Sequence, residues 1–294
     1  MRDYIIITDV ASDLPKNLAE KYEIEVIGMN LMLDKKEYYH TINYDNLSNE
    51  EFYTKVSEGA KASTSQISPG EYVEFFSKFL AKKYNILYIC LSSGLSATYQ
   101  SANIAKSILM EKYKKAEIMI VDSLQASIGE GYLAILASIN KMRNLSLLEN
   151  VAFLDKIKYN IRSLFTVDDL MYLSRGGRLS KSAALVGSAI KIKPLLKIDH
   201  TGKLVSFAKI RTRKKAISKL IALVENNLGK FNTQFIYIIQ SRCDQEAMLL
   251  KEELVKKFNY ITITVCELGP VVGTHTGPGL LGVVFLGKNN SDTL

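Results

Sequence analysis

The chain has 294 residues, of which 47% are hydrophobic and 23% are charged, a composition typical of a folded globular protein long enough for two domains. No apolar segment approaches the roughly 18 uncharged residues of a membrane-spanning helix, and the apolar segment at the N-terminus is too short for a signal peptide. These features argue against a membrane-spanning or exported protein, and we expect a cytoplasmic location.

The net charge of +8 is concentrated in one part of the chain. Between Ser174 and Lys219 there are thirteen lysines and arginines and a single acid, Asp199. A block of one sign is typical of a surface that binds an acidic partner. The solvated faces of a hairpin and a helix would explain the block equally well, so both interpretations stay open at this point.

The cysteines and histidines give no pattern for a metal site or a disulfide framework. The chain has three of each, without a CxxC motif and without metal-ligand spacing. They are Cys90, Cys243, Cys266, His40, His200 and His275. The glycines form neither a P-loop nor a GxGxxG motif after a strand, so we expect no nucleotide cofactor and no metal.

In the first half of the chain, apolar strand-like segments alternate with helical ones. The predicted strands are Tyr4–Thr8, Glu25–Leu33, Ile86–Leu91 and Glu117–Val121. The predicted helices are Leu14–Lys21, Ser48–Ser57, Glu71–Lys83, Ser96–Tyr113 and Gly129–Arg143. This alternation indicates a mainly parallel sheet flanked by helices. Such sheets bind ligands beyond the carboxyl ends of their strands.

The second half has a different pattern. The predicted helices are Leu147–Ile161, Thr212–Asn227 and Asp244–Phe258. The predicted strands are a hairpin of Pro194–Ile198 and Leu204–Ile210, followed by Phe235–Gln240, Ile261–Glu267 and Leu281–Leu286. This order predicts a mixed sheet with helices. We therefore expect an α/β protein of two α/β domains, residues 1–160 and residues 161–294.

Small hydroxyl and acidic residues follow the predicted strands of the first half. They are Thr8-Asp9, Ser92-Ser93-Gly94 and Asp122-Ser123, and the segment STSQISPG at 63–70 lies between them. Helix capping explains some of these residues, because Ser68 precedes Pro69 at a helix start and Ser96 begins another helix. The remaining hydroxyls are candidates for binding an anionic group.

Ser93 could also be a nucleophile. The segment Gly94–Thr98 lacks the last glycine of a nucleophile elbow, and an aspartyl-phosphate phosphatase would need a second Asp where Ala11 stands. His275 could serve as a base, although nothing in the sequence pairs it with Ser93. A serine-dependent hydrolase that uses Ser93 and His275 therefore stays as the alternative function.

The segment GPVVGTHTGPG at 269–279 contains one histidine, His275, among several glycines and prolines. We predict a glycine-rich loop whose backbone approaches a ligand closely, with His275 at its rim as a hydrogen-bonding group. A turn that contains a structural histidine is the simpler interpretation.

Six segments resemble the signature sequences of the DegV family, bacterial fatty-acid-binding proteins that include the binding subunits of fatty acid kinase. They are TSQISPGEY (64–72), LSSGLSATYQSA (91–102), DSLQASIGEG (122–131), DLMYLSRGGRLS (169–180), IKPLL (192–196) and GPVVGTHTGPGLLG (269–282). The chain departs from the usual pattern at 8–14, where TDVASDL replaces a TDST-like start, and at Ile67 and Ala97, which replace Pro and Gly.

The resemblance implies a carrier of a long-chain fatty acid such as palmitate, buried between or within two α/β domains, with no catalytic residue and no cofactor. It implies that the carboxylate is held by Thr64 and Ser93, with Ser65, Ser92 and Gly94 as neighbours and His275 close by. Hydroxyls and a helix N-terminus would provide the donors without burying a permanent cation.

The resemblance also implies a partner, a separate fatty acid kinase that makes the acyl phosphate. Arg175 and Arg178 of the RGGR segment are the residues expected to dock this kinase or to steady a phosphate. Nucleic acid is not an expected partner, because the basic block contains no recognition motif. Contact with a membrane is expected to be transient at most.

Overall fold

The computed structural model describes residues 3–179 and 192–288. The chain forms two compact units, the first made of Met1–Ser48 and Thr64–Tyr159 and the second of Asn49–Ser63 and Asn160–Leu294. Lys181 and Lys191 of the basic block lie outside the described residues. No helix within the described ranges is both long and apolar enough to cross a membrane.

A parallel sheet of four strands is the centre of the first unit. Its strands are β1 (Tyr4–Asp9), β2 (Ile24–Ile27), β6 (Asn85–Cys90) and β7 (Ile118–Asp122), in the order β2-β1-β6-β7. Every neighbouring pair is parallel, and every residue of β6 is buried. Because the residues of β6 are buried on both sides of the sheet, helices must cover both of its faces.

The helices that the chain forms before residue 160 have clear start signals. They are α1 (Lys16–Lys21), α2 (Asn49–Ser57), α3 (Pro69–Leu80), α4 (Thr98–Lys112), α5 (Ile128–Met142) and α6 (Leu147–Ile157). Helix α3 starts with a capping box between Ser68 and Glu71 and has Pro69 at its first position. Helix α6 starts with a second capping box, between Ser146 and Glu149. Helix α2 belongs to the second unit.

The predicted strand Glu25–Leu33 is interrupted at Gly28. The structure has β2 before this glycine, and after it β3 (Met29–Leu33), which forms an antiparallel hairpin with β4 (Lys36–His40). A Cβ atom at Gly28 would lie 2.6 Å from the carbonyl oxygen of His40, so only glycine allows this close approach. A short strand, β5 (Ala62–Thr64), leads into the 63–70 segment.

The second unit contains a mixed sheet of six strands. These are β8 (Ile161–Thr166), β9 (Lys193–Ile198), β10 (Leu204–Ile210), β11 (Phe235–Gln240), β12 (Thr262–Glu267) and β13 (Leu281–Leu286), in the order β10-β9-β8-β13-β11-β12. Only the β11–β12 pair is parallel among the pairs in this sheet that the structure describes. The predicted hairpin of β9 and β10 is confirmed.

The helices of the second unit that follow residue 160 are α7 (Met171–Arg175), α8 (Arg213–Asn227), α9 (Asp244–Lys257) and α10 (Pro270–Thr276). Helices α8 and α9 pack their buried faces on the sheet through a core that includes Leu220, Leu250 and Val283. The predicted fold class, α/β with a parallel sheet in the first part and a mixed sheet in the second, is therefore confirmed.

Two details of the prediction differ from the structure. The predicted helix Leu147–Ile161 ends at Ile157, and strand β8 begins at Ile161. Residues 49–63, which the predicted domain 1–160 included, lie in the second unit. The reason is packing: α2 contacts α10, and the Tyr53 hydroxyl donates to the carbonyl oxygen of Leu268 at 3.0 Å. Local sequence does not show which sheet an amphipathic helix covers.

Candidate functional site

The carboxyl ends of β1, β6 and β7 lie side by side at one edge of the parallel sheet. Strand β1 ends at Asp9, β6 leads into Leu91-Ser92-Ser93, and β7 ends at Asp122. This is the edge at which open α/β sheets bind ligands. The sequence placed its hydroxyl clusters at these strand ends, and the sheet order makes them neighbours.

Ser92 and Ser93 have different roles in the loop after β6. Ser92 is fully buried, its amide donates to the carbonyl oxygen of Gln125 at 2.9 Å, and its hydroxyl accepts from the amide of Gly94 at 3.1 Å. Ser93 is exposed, and its amide donates to Asp122 Oδ1 at 3.1 Å. The Ser93 hydroxyl makes no hydrogen bond to any residue within the described ranges. The loop therefore fixes the Ser93 backbone and presents the Ser93 hydroxyl.

The expected contribution of a helix N-terminus is not what the loop provides. Helix α4 begins only at Thr98, and the amide of Thr98 donates to the Ser96 hydroxyl at 3.2 Å. The amides of Leu95 and Ser96 both donate to the carbonyl oxygen of Ser92. Because the amides of residues 93–96 are already bonded, the hydroxyl of Ser93 is the donor that this loop offers. The N-cap residue is Ala97, which makes no side-chain capping bond, so the prediction of Ser96 as the cap is wrong, although the Ser96 hydroxyl does accept the first amide of the helix.

The 63–70 segment is held against the same part of the first unit. The amide of Ser65 donates to the carbonyl oxygen of Asn30 at 3.1 Å, and the Gln66 side chain donates to the Ser101 hydroxyl on α4 at 3.1 Å. Thr64 is half-buried and Ser65 is exposed. The segment that carries Thr64 and the helix that follows Ser93 are therefore joined directly.

A buried polar network that the sequence pattern does not predict lies behind this edge. Asp9 and Glu130 are both fully buried. The hydroxyl of Thr8 donates to Glu130 Oε1 at 2.7 Å, and the hydroxyl of Tyr88 donates to Asp9 Oδ2 at 2.8 Å. Burial raises the pKa of both carboxyls, that of Glu130 well above its usual value. A lone acid within the apolar sequence of α5 was the available signal.

His275 lies in the second unit, on a helix and not in the predicted glycine-rich loop. Residues Pro270–Thr276 form α10, with Pro270 at its first position and Gly277 ending it at a positive φ of 71°. A Cβ atom at Gly273 would lie 2.4 Å from the Tyr53 hydroxyl oxygen, so this glycine serves close packing on α2. The glycines had suggested a loop because their packing role is not visible in the sequence.

The imidazole of His275 is neutral at neutral pH. Burial, followed by the charge of Arg178, lowers the pKa of His275 to about 4. A Cβ atom at Gly176 would lie 2.5 Å from His275 Nδ1, so the RGGR segment packs directly on this ring. His275 can therefore act as a neutral hydrogen-bonding group at physiological pH.

The two arginines of the RGGR segment differ in exposure. Arg175 is exposed, its guanidinium lies 4.7 Å from the centre of the Tyr172 ring, and its Nε donates to the carbonyl oxygen of Met171 at 3.3 Å. Arg178 is half-buried, donates to the carbonyl oxygen of Gly176, and has its pKa lowered by burial. Arg175 is thus the better placed of the two for contact with a partner.

Comparison with known proteins identifies the chain's relatives. The sequence profile of the DegV family, described as uncharacterised proteins, matches residues 4–288. This chain belongs to the DegV family. A DegV domain-containing protein of Streptococcus pyogenes serotype M1 is 40% identical over 288 residues, covering 98% of this chain and 99% of the relative. The family resemblance carried by the six sequence segments is thereby confirmed.

Solved DegV structures have the same fold. DegV of Bacillus subtilis, described as a fatty acid binding protein, is 32% identical with a TM-score of 0.84, covering 98% of this chain and all of that one, 100%. A DegV family protein of Thermus thermophilus, described by its fatty acid binding, is 27% identical with a TM-score of 0.86 over 98% and 100% of the two chains. Ligand binding in the DegV family is thus known from relatives at this level of identity.

Proposed function

We propose that this chain binds a long-chain fatty acid, such as palmitate, in a buried apolar pocket and holds its carboxylate with the hydroxyls of Thr64 and Ser93. The observation that carries the proposal is the Ser93 hydroxyl: it is exposed and unbonded to any described residue, on a backbone fixed by Asp122. The fatty acid binding described for the relatives from B. subtilis and T. thermophilus supports it.

The energetics favour such a ligand. Burial of an acyl chain contributes about 0.8 kcal/mol per CH₂ group, so a chain of about sixteen carbons gains on the order of 10 kcal/mol before the costs of association. The carboxylate needs only enough hydrogen bonds to replace water. Neutral hydroxyls supply these without an arginine clamp, which leaves the carboxylate able to react on another protein.

The finer proposal is that the chain is a non-catalytic carrier, without a resident cofactor, that presents the fatty acid to a fatty acid kinase. Exposed Arg175 is the residue proposed to contact the kinase. Half-buried Arg178 is proposed to support lipid binding as well, because it lies beside His275. Ser65, Ser92 and Gly94 complete the carboxylate site by holding the two loops in place.

Mass spectrometry of the lipid released by solvent from the purified protein tests ligand binding. We expect a long-chain fatty acid from the wild type, and about tenfold weaker palmitate binding after S93A or T64A, because each removes one hydrogen bond to a charged group. S107A, at an exposed serine on α4, is the matched control. Unchanged palmitate affinity in both site variants would contradict the assignment. Covalent labelling of Ser93 by a serine-reactive phosphonate would favour a hydrolase.

Charge reversal separates kinase docking from lipid binding. R175E is expected to weaken kinase-dependent formation of acyl phosphate and to leave palmitate affinity unchanged. R178E is expected to lower both, because Arg178 is half-buried beside His275. K209E, at an exposed lysine of the basic block, is the matched control. Equal loss of both activities in R175E would contradict a docking role.

A further inference from the structure

Two carboxyls are buried close together in the first unit. Asp9 stands at the end of β1 and Glu130 in the first turn of α5, and both side chains are fully buried. The hydroxyl of Thr8, the residue before Asp9, donates to Glu130 Oε1 at 2.7 Å, and each carboxyl acts on the pKa of the other. Neither forms an ion pair with a residue in the ranges that the structure describes. Two adjacent buried carboxylates cannot both be ionised, so at least one proton must be present.

The hydrogen bonds show which carboxyl carries the charge. Asp9 accepts from three donors: the amide of Ala11 at 3.0 Å, the hydroxyl of Tyr88 at 2.8 Å and the amide of Leu91 at 3.1 Å. Donors of this kind stabilise an ionised carboxylate. Glu130 accepts from the hydroxyl of Thr8 through Oε1 and from the amide of Asp9, and among the described residues Oε2 has no donor. A protonated Glu130 satisfies that oxygen by donating to Asp9.

The groups around the pair do not change this assignment. The titratable side chains that act on it are Tyr88 and Cys90 of β6 and Tyr72 of α3, whose hydroxyl lies 2.6 Å from that of Tyr88. Burial raises the pKa of all three, so they are neutral at physiological pH. The charge of Asp9 also raises the pKa of Glu130, after the effect of burial.

We propose that Asp9 and Glu130 share a single proton, carried by Glu130, and that this pair positions the Ser92–Ser93 loop for the ligand carboxylate. Asp9 Oδ2 accepts a hydrogen bond from the amide of Leu91, the residue immediately before Ser92. Asp122 Oδ1 accepts one from the amide of Ser93. The loop is therefore fixed on both sides of Ser92. Loss of the proton would set two like charges against each other behind the loop, which would displace Ser93 and repel the ligand carboxylate. The positioning role rests on the proposed function, whereas the shared proton does not.

Infrared spectroscopy of the protein at neutral pH tests the proton without reference to lipid. We expect the carbonyl stretch of a neutral carboxylic acid in the wild type, its loss in E130Q, and its retention in E149Q. Glu149 lies in an exposed capping box and is the matched control for the same chemical change. Identical spectra of wild type and E130Q in this region would overturn the shared proton.

Palmitate affinity, measured with the same proteins, tests the positioning role. E130Q keeps a neutral donor to Asp9, so we expect affinity within about twofold of the wild type, whereas E130A and D9N each lose about tenfold or more. Tyr88→Phe removes one donor to Asp9 and replaces D9N as the informative variant if D9N does not fold. Rescue by Gln but not by Ala is the decisive pattern. Equal loss in E130Q and E130A would overturn the role, and failure of the wild type to bind palmitate would instead reject the proposed function.

Discussion

At the end of β1 the first unit buries two carboxyls that pair with no cation among the described residues, whereas at the end of β11 the second unit pairs its carboxylates with arginine and lysine. Arg213 donates to Glu246 Oε2 from Nε at 3.0 Å and from Nη2 at 2.8 Å, and Lys193 Nζ lies 2.7 Å from Asp168 Oδ1. These pairs reach the surface, where Asp168 and Glu246 line an open cleft of about 670 Å³.

The difference follows from access to water. A dry interior makes unpaired charge costly, so hydroxyls, amides and one proton stabilise the buried carboxyls. Where water screens the charges, a cation adds a smaller and salt-dependent stabilisation. The first network should therefore respond to the loss of single hydrogen bonds, and the second to ionic strength.

The largest effect is expected from acid, which acts on one histidine in each unit, the buried His40 and the half-buried His275. Burial lowers the pKa of both His40 and His275 from 6.5 to about 4. The unfolded chain therefore takes up these protons first, and stability falls as the pH decreases from about 6.5 to about 4. Each histidine should contribute about 3 kcal/mol to this loss.

Urea unfolding at neutral pH and at about pH 4.5 measures this loss, since that interval covers most of the titration. H40Q should remove about half of the wild-type decrease in the free energy of unfolding, and H275Q a similar amount. H200Q, at an exposed position in the β9–β10 turn, is the control. A decrease in H40Q as steep as in the wild type would contradict the neutral buried state of His40.

An intermediate effect is expected from Y88F, which tests the buried network around Asp9 and Glu130. The variant removes the donor to Asp9 and the partner of the Tyr72 hydroxyl, while the ring and its packing remain. We expect the free energy of unfolding to fall by about 2 kcal/mol, because a hydrogen bond to a charged acceptor is lost. The fall should be the same at low and high salt. Y84F, at a half-buried tyrosine, is the control. A salt-dependent fall in the free energy of unfolding of Y88F would contradict the predicted difference between the two units.

The smallest effect is expected from R213K, which tests the paired network. Lysine keeps the charge but cannot reproduce the fork of contacts to Glu246 or the bond from Nη1 to the carbonyl oxygen of Gly279 at 2.9 Å. We expect a loss of about 1 kcal/mol at low salt and less at high salt. K257M breaks the exposed pair with Glu225 and should change stability by less. If the loss of stability in R213K does not vary with salt concentration, the pair of Arg213 and Glu246 is not screened by solvent, contrary to this prediction.

Much of the fold could be predicted because its signals are local. The alternation of apolar strands and helices predicted the parallel sheet, and two strands separated by only five residues predicted the β9–β10 hairpin. The serine-rich segments likewise drew attention to the strand ends where Ser92 and Ser93 lie. Periodicity and turn chemistry act over a few residues, so a single sequence contains them.

The buried network could not be predicted because it joins distant residues. Thr8 and Glu130 are 122 positions apart, and no local pattern states that α5 turns its one acid towards the end of β1. Helix α10 was not predicted for a related reason. Gly273 is needed because it packs closely against the hydroxyl of Tyr53, a residue distant in the sequence. The different roles of buried Ser92 and exposed Ser93 also depend on distant hydrogen-bond partners, Gln125 and Asp122.

Residues 49–63 belong to the second unit but are synthesised together with the first. During synthesis, α2 leaves the ribosome more than 200 residues before the helix α10 against which it packs. Until then the aromatic side chains of Phe52 and Tyr53, both buried in the finished protein, have no surface to cover them. A nascent chain stalled near residue 160 would therefore expose the hydrophobic face of α2, and we expect chaperones to bind this face during synthesis. For the same reason, cutting the gene at residue 160 would not yield two independent folding halves.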